Sequence, residues 1–362
     1  MTQRVRFGLI GCGRMGATAD DMAARWTVGR LWLPLSHASA IAATEDAELV
    51  AVCDVSEAAA RQTMERYGAR SFYTDHEKML AREHLDAVAI ATRTPERKSI
   101  IEACVKRGVR ALFCEKPLCQ TLEDADALTA LLRENRVAFV YGTRRRFMPV
   151  YRRVKEALDR GVIGSVRTIV LRFGYGGLLW VHPHTVDLVA YFSGDVQPQF
   201  VQADLALDER AMSAHEVDAD PQVCSAYIRF SNGVGAHLVA SDSYDVEIAG
   251  SDGLVTIFSD GAAVEWRTRR AETDGLIDAG HLLARHLEEN QDRVSGTIES
   301  IHALTDAVRG QKTACYDPGL AVRNLEVLFG MVYSHLAEGR RVHWPIERRG
   351  LKITGRIGNL HP

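Results

Sequence analysis

The sequence contains no apolar run long enough to cross a bilayer, no secretory h-region behind Met1-Thr2-Gln3-Arg4, and no long basic stripe able to neutralise a nucleic-acid backbone. These absences argue against a membrane protein, an exported protein and a nucleic-acid binder, and they predict a cytoplasmic chain. Seven cysteines (12, 53, 104, 114, 119, 224 and 315) form no Cys-x-x-Cys pair. An odd number lying mostly inside apolar strand and helix patterns reads as reduced core residues rather than a disulfide framework. Low-complexity tracts are also missing. Charge of one sign is scarce: 44 Lys and Arg stand against 47 Asp and Glu, for a net charge of -3, and Arg144-Arg145-Arg146 is the one short basic cluster. What remains is a hydrophobic fraction of 46% over 362 residues, enough for two domains that each bury a core.

From residue 5 to about 141 short apolar runs alternate with helical patterns. Val5 to Ile10, Leu49 to Cys53, Ala87 to Ala91, Ala111 to Cys114 and Ala138 to Tyr141 read as strands of a parallel sheet buried on both faces. Between them Ser56 to Tyr67 ends at Gly68, Pro95 to Arg107 ends at Gly108, and Thr121 with Asp124 has capping-box spacing ahead of a helix to Asn135. This predicts a doubly wound Rossmann domain over 1–120, with an insertion at about 17–35 that carries Trp26, Trp32 and Pro34. After a helix near Val150 to Arg160 the pattern turns to alternating strands at Val166 to Phe173, Val223 to Phe230, Gly235 to Ala240, Leu254 to Phe258 and Ala263 to Arg267. Asn232-Gly233, Asp252-Gly253 and Asp260-Gly261 are hairpin turn dipeptides. Residues 121–362 are therefore expected to form a second α/β domain with a large, mostly antiparallel sheet, closing on helical patterns near 278–293, 298–308 and 319–337.

Gly11-Cys12-Gly13-Arg14-Met15-Gly16 is a GxGxxG placed directly after the first strand, where glycines allow a tight turn and let main-chain amides approach a pyrophosphate. Asp54 closes the second strand. A carboxylate there accepts hydrogen bonds from an adenosine ribose and repels a 2′-phosphate, which predicts NAD rather than NADP. The 38 positions from Gly16 to Asp54 exceed the usual separation of about 20, and the 17–35 insertion accounts for the excess. At the end of the fourth strand stands Glu115-Lys116-Pro117. Ligands of open α/β sheets bind beyond the carboxyl ends of strands, so Lys116 is placed where a substrate would be. A partly desolvated lysine can take the hydroxyl proton when a secondary alcohol is oxidised; the competing reading is a surface lysine with a solvated head.

On these residues the chain resembles the glucose-fructose oxidoreductase, inositol dehydrogenase and rhizopine-catabolism (Gfo/Idh/MocA) family. The similarity runs through Gly11 to Gly16, Leu49 to Asp54, Ala91-Thr92, Gly108 to Leu118, Gly142 to Pro149, Gly161 to Gly164, His184 to Gly194 and Gly339 to Pro345. The resemblance implies a catalytic Lys116 and a cofactor role for Thr92 and for Glu115, which would help hold the nicotinamide region. It also implies that His184, Asp187 and Arg145 reach substrate hydroxyls, and His184 is expected to be catalytic beside Lys116, with Asp187 orienting its imidazole or a bound hydroxyl. A carbohydrate-like substrate and a homodimer or tetramer come with it, the second domain serving substrate binding and oligomerisation. The chain departs from the family pattern at Trp180, where an aspartate is usual, at His182 in place of glycine, at Arg93 in place of proline, and at Lys98 in place of a frequent histidine. Trp180 and His182 are expected to line the substrate site, Trp180 as an apolar wall, both on the segment entering a helix that starts at Pro183. No partner set at zinc-like spacing surrounds His182 and His184, so no metal is expected. Three functions stay open: an NAD(H)-dependent dehydrogenase or reductase, a redox-neutral lyase or glycosidase using bound NAD, and a catalytically silent dinucleotide-binding regulator.

Overall fold

The computed structural model describes residues 4–174, 176–268, 284–311 and 315–355. It divides into two compact units: Met1–Met148 with Arg293–Leu325 and Arg349–Pro362, and Pro149–Asp292 with Glu326–Arg348.

In the first unit strands and helices alternate: β1 (Val5–Ile10), α1 (Ala19–Ala23), α2 (His37–Ala43), β2 (Ala47–Cys53), α3 (Glu57–Tyr67), β3 (Ser71–Tyr73), α4 (His76–Arg82), β4 (Ala87–Ile90), α5 (Thr94–Lys106), β5 (Ala111–Cys114), α6 (Leu122–Glu134) and β6 (Ala138–Tyr141). The strands make one parallel sheet in the order β3-β2-β1-β4-β5-β6. This is the Rossmann order, which reverses between β1 and β4, and the crevice beyond the carboxyl ends at that switch is where such sheets bind dinucleotides. Every residue of β4 and β5 is buried, which is why these strands read as unbroken apolar runs. The caps also follow the sequence: the Ser56 side chain accepts from the Ala59 N–H, Gly68 ends α3 at φ 71°, and Thr121 accepts from the Asp124 N–H. Two elements carry little signal. β3 is three half-buried residues, and α4 is announced only by Asp75, which caps Glu77 and Lys78.

The 17–35 segment is compact. A π turn at Arg14–Thr18 leads into α1, a 3-10 turn spans Gly29–Leu31, and Ser36 caps α2. Asp20 ties the two ends: Oδ1 accepts from the Leu35 N–H at 2.9 Å, Oδ2 from the Ser36 N–H at 3.0 Å, and Ser39 Oγ lies 2.9 Å from both oxygens. Ser295 Oγ and Thr297 Oγ1 donate to the Pro34 and Leu35 carbonyls at 2.6 and 3.2 Å.

The second unit contains α7 (Pro149–Asp159), β7 (Val166–Phe173), α8 (His182–Phe192), β8 (Pro198–Ala206), β9 (Glu216–Val217), β10 (Gln222–Phe230), β11 (Gly235–Ala240), β12 (Asp245–Gly250), β13 (Gly253–Phe258), β14 (Ala263–Thr268) and β15 (Ala284–Glu289). The chain returns to the first unit for α9 (Gly296–Val308), passes between units within α10 (Pro318–Leu336), and adds β16 (Val342–His343) to the second. The sheet order is β15-β14-β13-β12-β7-β11-β10-β8-β16, antiparallel except between β7 and β11. Gly233 (φ 87°), Asp260 (φ 58°) and Gly261 (φ 94°) take the left-handed backbone that hairpin turns require.

Two expectations change. Over 284–289 the helical pattern near 278–293 is instead the strand β15, paired antiparallel with β14, and 290–293 form neither helix nor strand. Main-chain pairing along Ala263–Thr268 outweighs the local helix preference of Ala, Leu and Glu; residues 278–283 lie outside the described residues. The first unit also does not stop at residue 120. It continues through β6, which pairs with β5, and takes in α9, which packs on β5 and β6.

The Asp20 ties generate a stability prediction. Asp20→Ala should lower unfolding stability by about 2 kcal/mol, since it strands buried main-chain donors. Urea titration checks this, and a loss below about 0.5 kcal/mol would mean the insertion is held without Asp20.

Candidate active site

The glycine loop leaves the carboxyl end of β1. A Cβ on Gly16 would lie 1.9 Å from the Gly11 carbonyl oxygen, and one on Gly11 (φ 95°) would meet the Ala91 main chain at 2.7 Å. Gly13 is exposed, and a Cβ there would meet nothing within 4 Å. Two glycines thus close the turn while the middle one faces open space, the arrangement that lets a pyrophosphate approach the backbone. Asp54, half-buried after β2, accepts from the Cys12 N–H through Oδ2 (2.8 Å) and from the Ser56 N–H through Oδ1 (2.9 Å). The Cys12 amide is therefore directed at Asp54, while each carboxylate oxygen keeps capacity for a ribose hydroxyl. The Cys12 thiol is buried, which pushes it up to about 12 and leaves it unreactive. Arg14 and Met15 are half-buried in the π turn; burial lowers the Arg14 guanidinium, with Glu115 opposing.

Glu115 follows β5 and is 3% exposed. His37 Nε2 lies 3.0 Å from its Oε1, Arg144 pairs with the same oxygen, and the Lys116 N–H donates to Oε2 at 3.3 Å. A Cβ on Gly142 would come within 2.8 Å of Oε2, so glycine is required beside this carboxylate. Burial pushes the Glu115 carboxyl up, but the Arg144 guanidinium and the His37 hydrogen bond prevail and hold it well below the usual range. Burial lowers His37 against the pull of Glu115, so a neutral imidazole donates to an ionised carboxylate. Lys116 stands next to this cluster, part-buried as a residue with its ammonium among protein atoms. Burial lowers the ammonium to about 8; Glu115 opposes that shift, and Arg97, Arg144 and Arg14 add to it.

Thr92 ends the β4 loop. Its carbonyl accepts from Arg97 at 2.7 Å, and Arg97 also donates to the Pro117 carbonyl. Of the arginine cluster, Arg144 makes the ion pair, Arg145 lies over the Trp32 ring with its guanidinium carbon 4.9 Å from the centroid, and Arg146 lies over Tyr316 at 4.7 Å. Lys98 pairs with Asp124 on α6.

In the second unit α8 begins at His182, one residue before Pro183. His182 is buried, and its Nδ1 lies 3.0 Å from Thr185 Oγ1, which in turn donates to the His182 carbonyl at 3.1 Å. Burial pushes its imidazole down to about 4 despite the Gly176 carbonyl, so it is neutral at neutral pH. His184, half-buried in the first turn, and Asp187, fully buried, are three apart on one helical face. Trp180 is half-buried, and its segment is held by Asp220, which accepts from the Leu179 and Trp180 N–H groups at 2.7 and 3.1 Å. Among the described residues no three or more His, Cys, Asp or Glu could hold a metal together, and no helix is long and apolar enough to cross a membrane.

Residues 5–143 match the family model described as "Oxidoreductase family, NAD-binding Rossmann fold". Over these residues the chain is similar to the NAD-binding Rossmann domain of the Gfo/Idh/MocA oxidoreductases. It is 28% identical over 271 residues to myo-inositol 2-dehydrogenase of Thermotoga maritima, covering 69% of this chain and 74% of that protein. It is 33% identical over 167 residues to inositol 2-dehydrogenase of Rhizobium meliloti, covering 46% of this chain and 44% of that one, less than half its length. Its fold matches levoglucosan dehydrogenase, solved with NADH and levoglucosan, at a TM-score of 0.74 and 17% identity over 95% of this chain and 100% of that one. The family match and the named dehydrogenases among its relatives support an NAD-dependent oxidoreductase of the dehydrogenase class.

Four residues of the candidate site escaped sequence reasoning. His37 follows the 17–35 insertion as the first residue of α2 and belongs to no motif. Arg97 shares the buried face of α5 with Ile100, Ile101 and Cys104, and a charge on an apolar stripe was the available signal. Arg144 rather than Arg145 pairs with Glu115, a distinction of one position that composition does not make. Asp220 is distant in sequence from the segment it holds.

Glu115→Gln leaves Arg144 buried without its counter-charge and should cost about 3 kcal/mol at pH 7. Glu115 titrates lower folded than unfolded, so its stabilisation is full above its unfolded value of about 4.3 and fades as pH falls through the folded value. The urea-stability gap between native protein and Glu115→Gln should accordingly narrow on acidification; a gap that holds constant down to pH 3 would contradict the ionised pair.

Proposed function

We propose that the enzyme transfers hydride between NAD(H) and a secondary alcohol or ketone of a sugar, sugar derivative or cyclitol, with Lys116 as the acid/base group. The observation that carries this reading is a lysine at the carboxyl end of β5, part-buried as a residue, whose enclosed ammonium is brought down to about 8. The names of relatives, inositol 2-dehydrogenases and a D-apiose dehydrogenase, favour a polyhydroxylated substrate. NAD, when bound, supplies the nicotinamide that accepts the hydride.

The residues then divide the work. Gly11, Gly13 and Gly16 with the Arg14-Met15 amides cradle the pyrophosphate, and Asp54 takes the adenosine ribose. Thr92 and Glu115 border the nicotinamide side, Glu115 chiefly by fixing Lys116 through its amide. The neutral Lys116 amine takes the hydroxyl proton during oxidation, and the ammonium returns it during reduction. His184 and Asp187 recognise substrate hydroxyls, Arg145 extends that recognition from its seat on Trp32, and Trp180 supplies an apolar wall. His182, buried and neutral, supports the start of α8.

NAD(H) should bind more tightly than NADP(H), because Asp54 meets the 2′ position and the next residue, Val55, is 94% exposed and carries no charge for a phosphate. Titrating both cofactors against tryptophan fluorescence checks this; Asp54→Ala should narrow the gap, and equal NADP binding by native protein would refute it.

A panel of sugars, sugar acids, cyclitols and nucleotide sugars scored for NAD reduction tests the activity itself. On a substrate so found, Lys116→Ala should lower turnover roughly a hundredfold or more, and Lys116→Arg nearly as much, since arginine does not release its proton. Oxidation should rise with pH through about 8 and reduction fall through it, as the amine loses its proton. A Lys116→Ala variant that keeps most of its turnover would remove the assignment.

A further inference from the structure

Arg97 is a buried cation with no anion in contact among the described residues. It is 5% exposed, and among the described residues it forms no ion pair: two terminal nitrogens donate to the Thr92 and Pro117 carbonyls, and Nε is buried with no acceptor. A guanidinium cannot shed its proton to relieve such burial, so the site bears the desolvation cost in full. Joining two carbonyls does not require a charge. Arg144, by contrast, has Glu115 as its counter-ion.

The two carbonyls that Arg97 joins belong to the loops after β4 and β5, and the second is the residue following Lys116. We propose that Arg97 is a positioning residue for Lys116: it fixes the Lys116-Pro117 segment against the Thr92 loop and sets a permanent, unneutralised positive charge beside the amine. This deepens the function proposed above and rests on it, since a lysine that must act as a base gains from a neighbour that disfavours its protonated form.

Groups of the first unit that act on Lys116 come from several elements: Glu115 from β5, Arg97 from α5, Arg144 from the turn after β6, Arg14 from the glycine loop, and His37 from α2 through its bond to Glu115. After burial, which is the largest influence, Glu115 favours the ammonium and the three guanidiniums oppose it. Arg144 is the one whose charge Glu115 answers at contact. Arg97 has no such answer, and its effect is therefore the one that substitution removes without stranding a carboxylate.

The test uses the full chain and two readouts. One is the pH dependence of Lys116 acetylation in cofactor-free protein, followed by mass spectrometry of its peptide. The other is the pH profile of kcat/KM for the NAD-linked oxidation. Arg97→Gln, with Arg97→Met as a second neutral variant should the first not fold, is expected to raise the midpoint of both profiles by about one pH unit, about a tenfold loss at pH 7 that is regained in alkali. Arg97→Lys should hold the native midpoint. Neutral variants that lose activity equally at all pH, with an unmoved acetylation midpoint, would overturn the proposal, as would Arg97→Lys shifting as far as Arg97→Gln. If acetylation shifts as expected while Lys116→Ala keeps its turnover, the acid/base role fails and the tie between Arg97 and the amine stands.

Discussion

The Glu115 carboxylate is the interaction on which the first unit's functional end depends. Buried in the protein, it is kept ionised by Arg144 and by a neutral His37. An ion in that setting is tolerated only when its partners are close and fixed. Here they come from three places in the chain: α2 after the insertion, the end of β5, and the turn after β6. Removing one would leave the others with an uncompensated charge or an unmet donor, so the three segments are bound into one arrangement. Gly142 belongs to the same constraint, because its missing side chain is the space that the carboxylate fills.

Lys116 takes its character from this frame. Its amide is held by Glu115, its carboxyl-side neighbour is held by Arg97, and its amine feels Arg97, Arg144 and Arg14 against Glu115. Desolvation and positive neighbours both penalise the ammonium, and the ionised Glu115 limits how far it can fall. The balance leaves the amine titrating near the pH at which a general base works best. The glycine loop and Asp54 are linked in a similar way: the carboxylate expected to meet a ribose also fixes the Cys12 amide, so cofactor recognition and loop geometry share one residue.

Much of this was legible in the sequence. The central Rossmann strands are doubly buried and therefore continuously apolar, and GxGxxG, Asp54 and Glu115-Lys116-Pro117 fall at the ends of strands where the fold places ligand loops. Hairpin turns of the second unit were visible as Asn-Gly and Asp-Gly because those residues adopt the left-handed backbone most readily. What stayed hidden depends on tertiary partners. β15 is a strand because β14 is beside it, β3 is too short to show a period, and His37, Arg97 and Arg144 acquire meaning only once folding brings them around Glu115 and Lys116. Trp180 was singled out as a missing aspartate; the carboxylate that folding does bring to its segment, Asp220, is spent on main-chain amides.

The central claim is that Lys116 deprotonates a carbinol as its hydrogen passes to NAD, and a deuterium label follows this most directly. With a substrate deuterated at the reacting carbon, the native enzyme should deliver the label to the nicotinamide ring of accumulating NADH, and Lys116→Ala should lose that transfer near neutral pH while still binding NAD. Label retained in a product released without NADH accumulation, or transfer undiminished in Lys116→Ala, would contradict it.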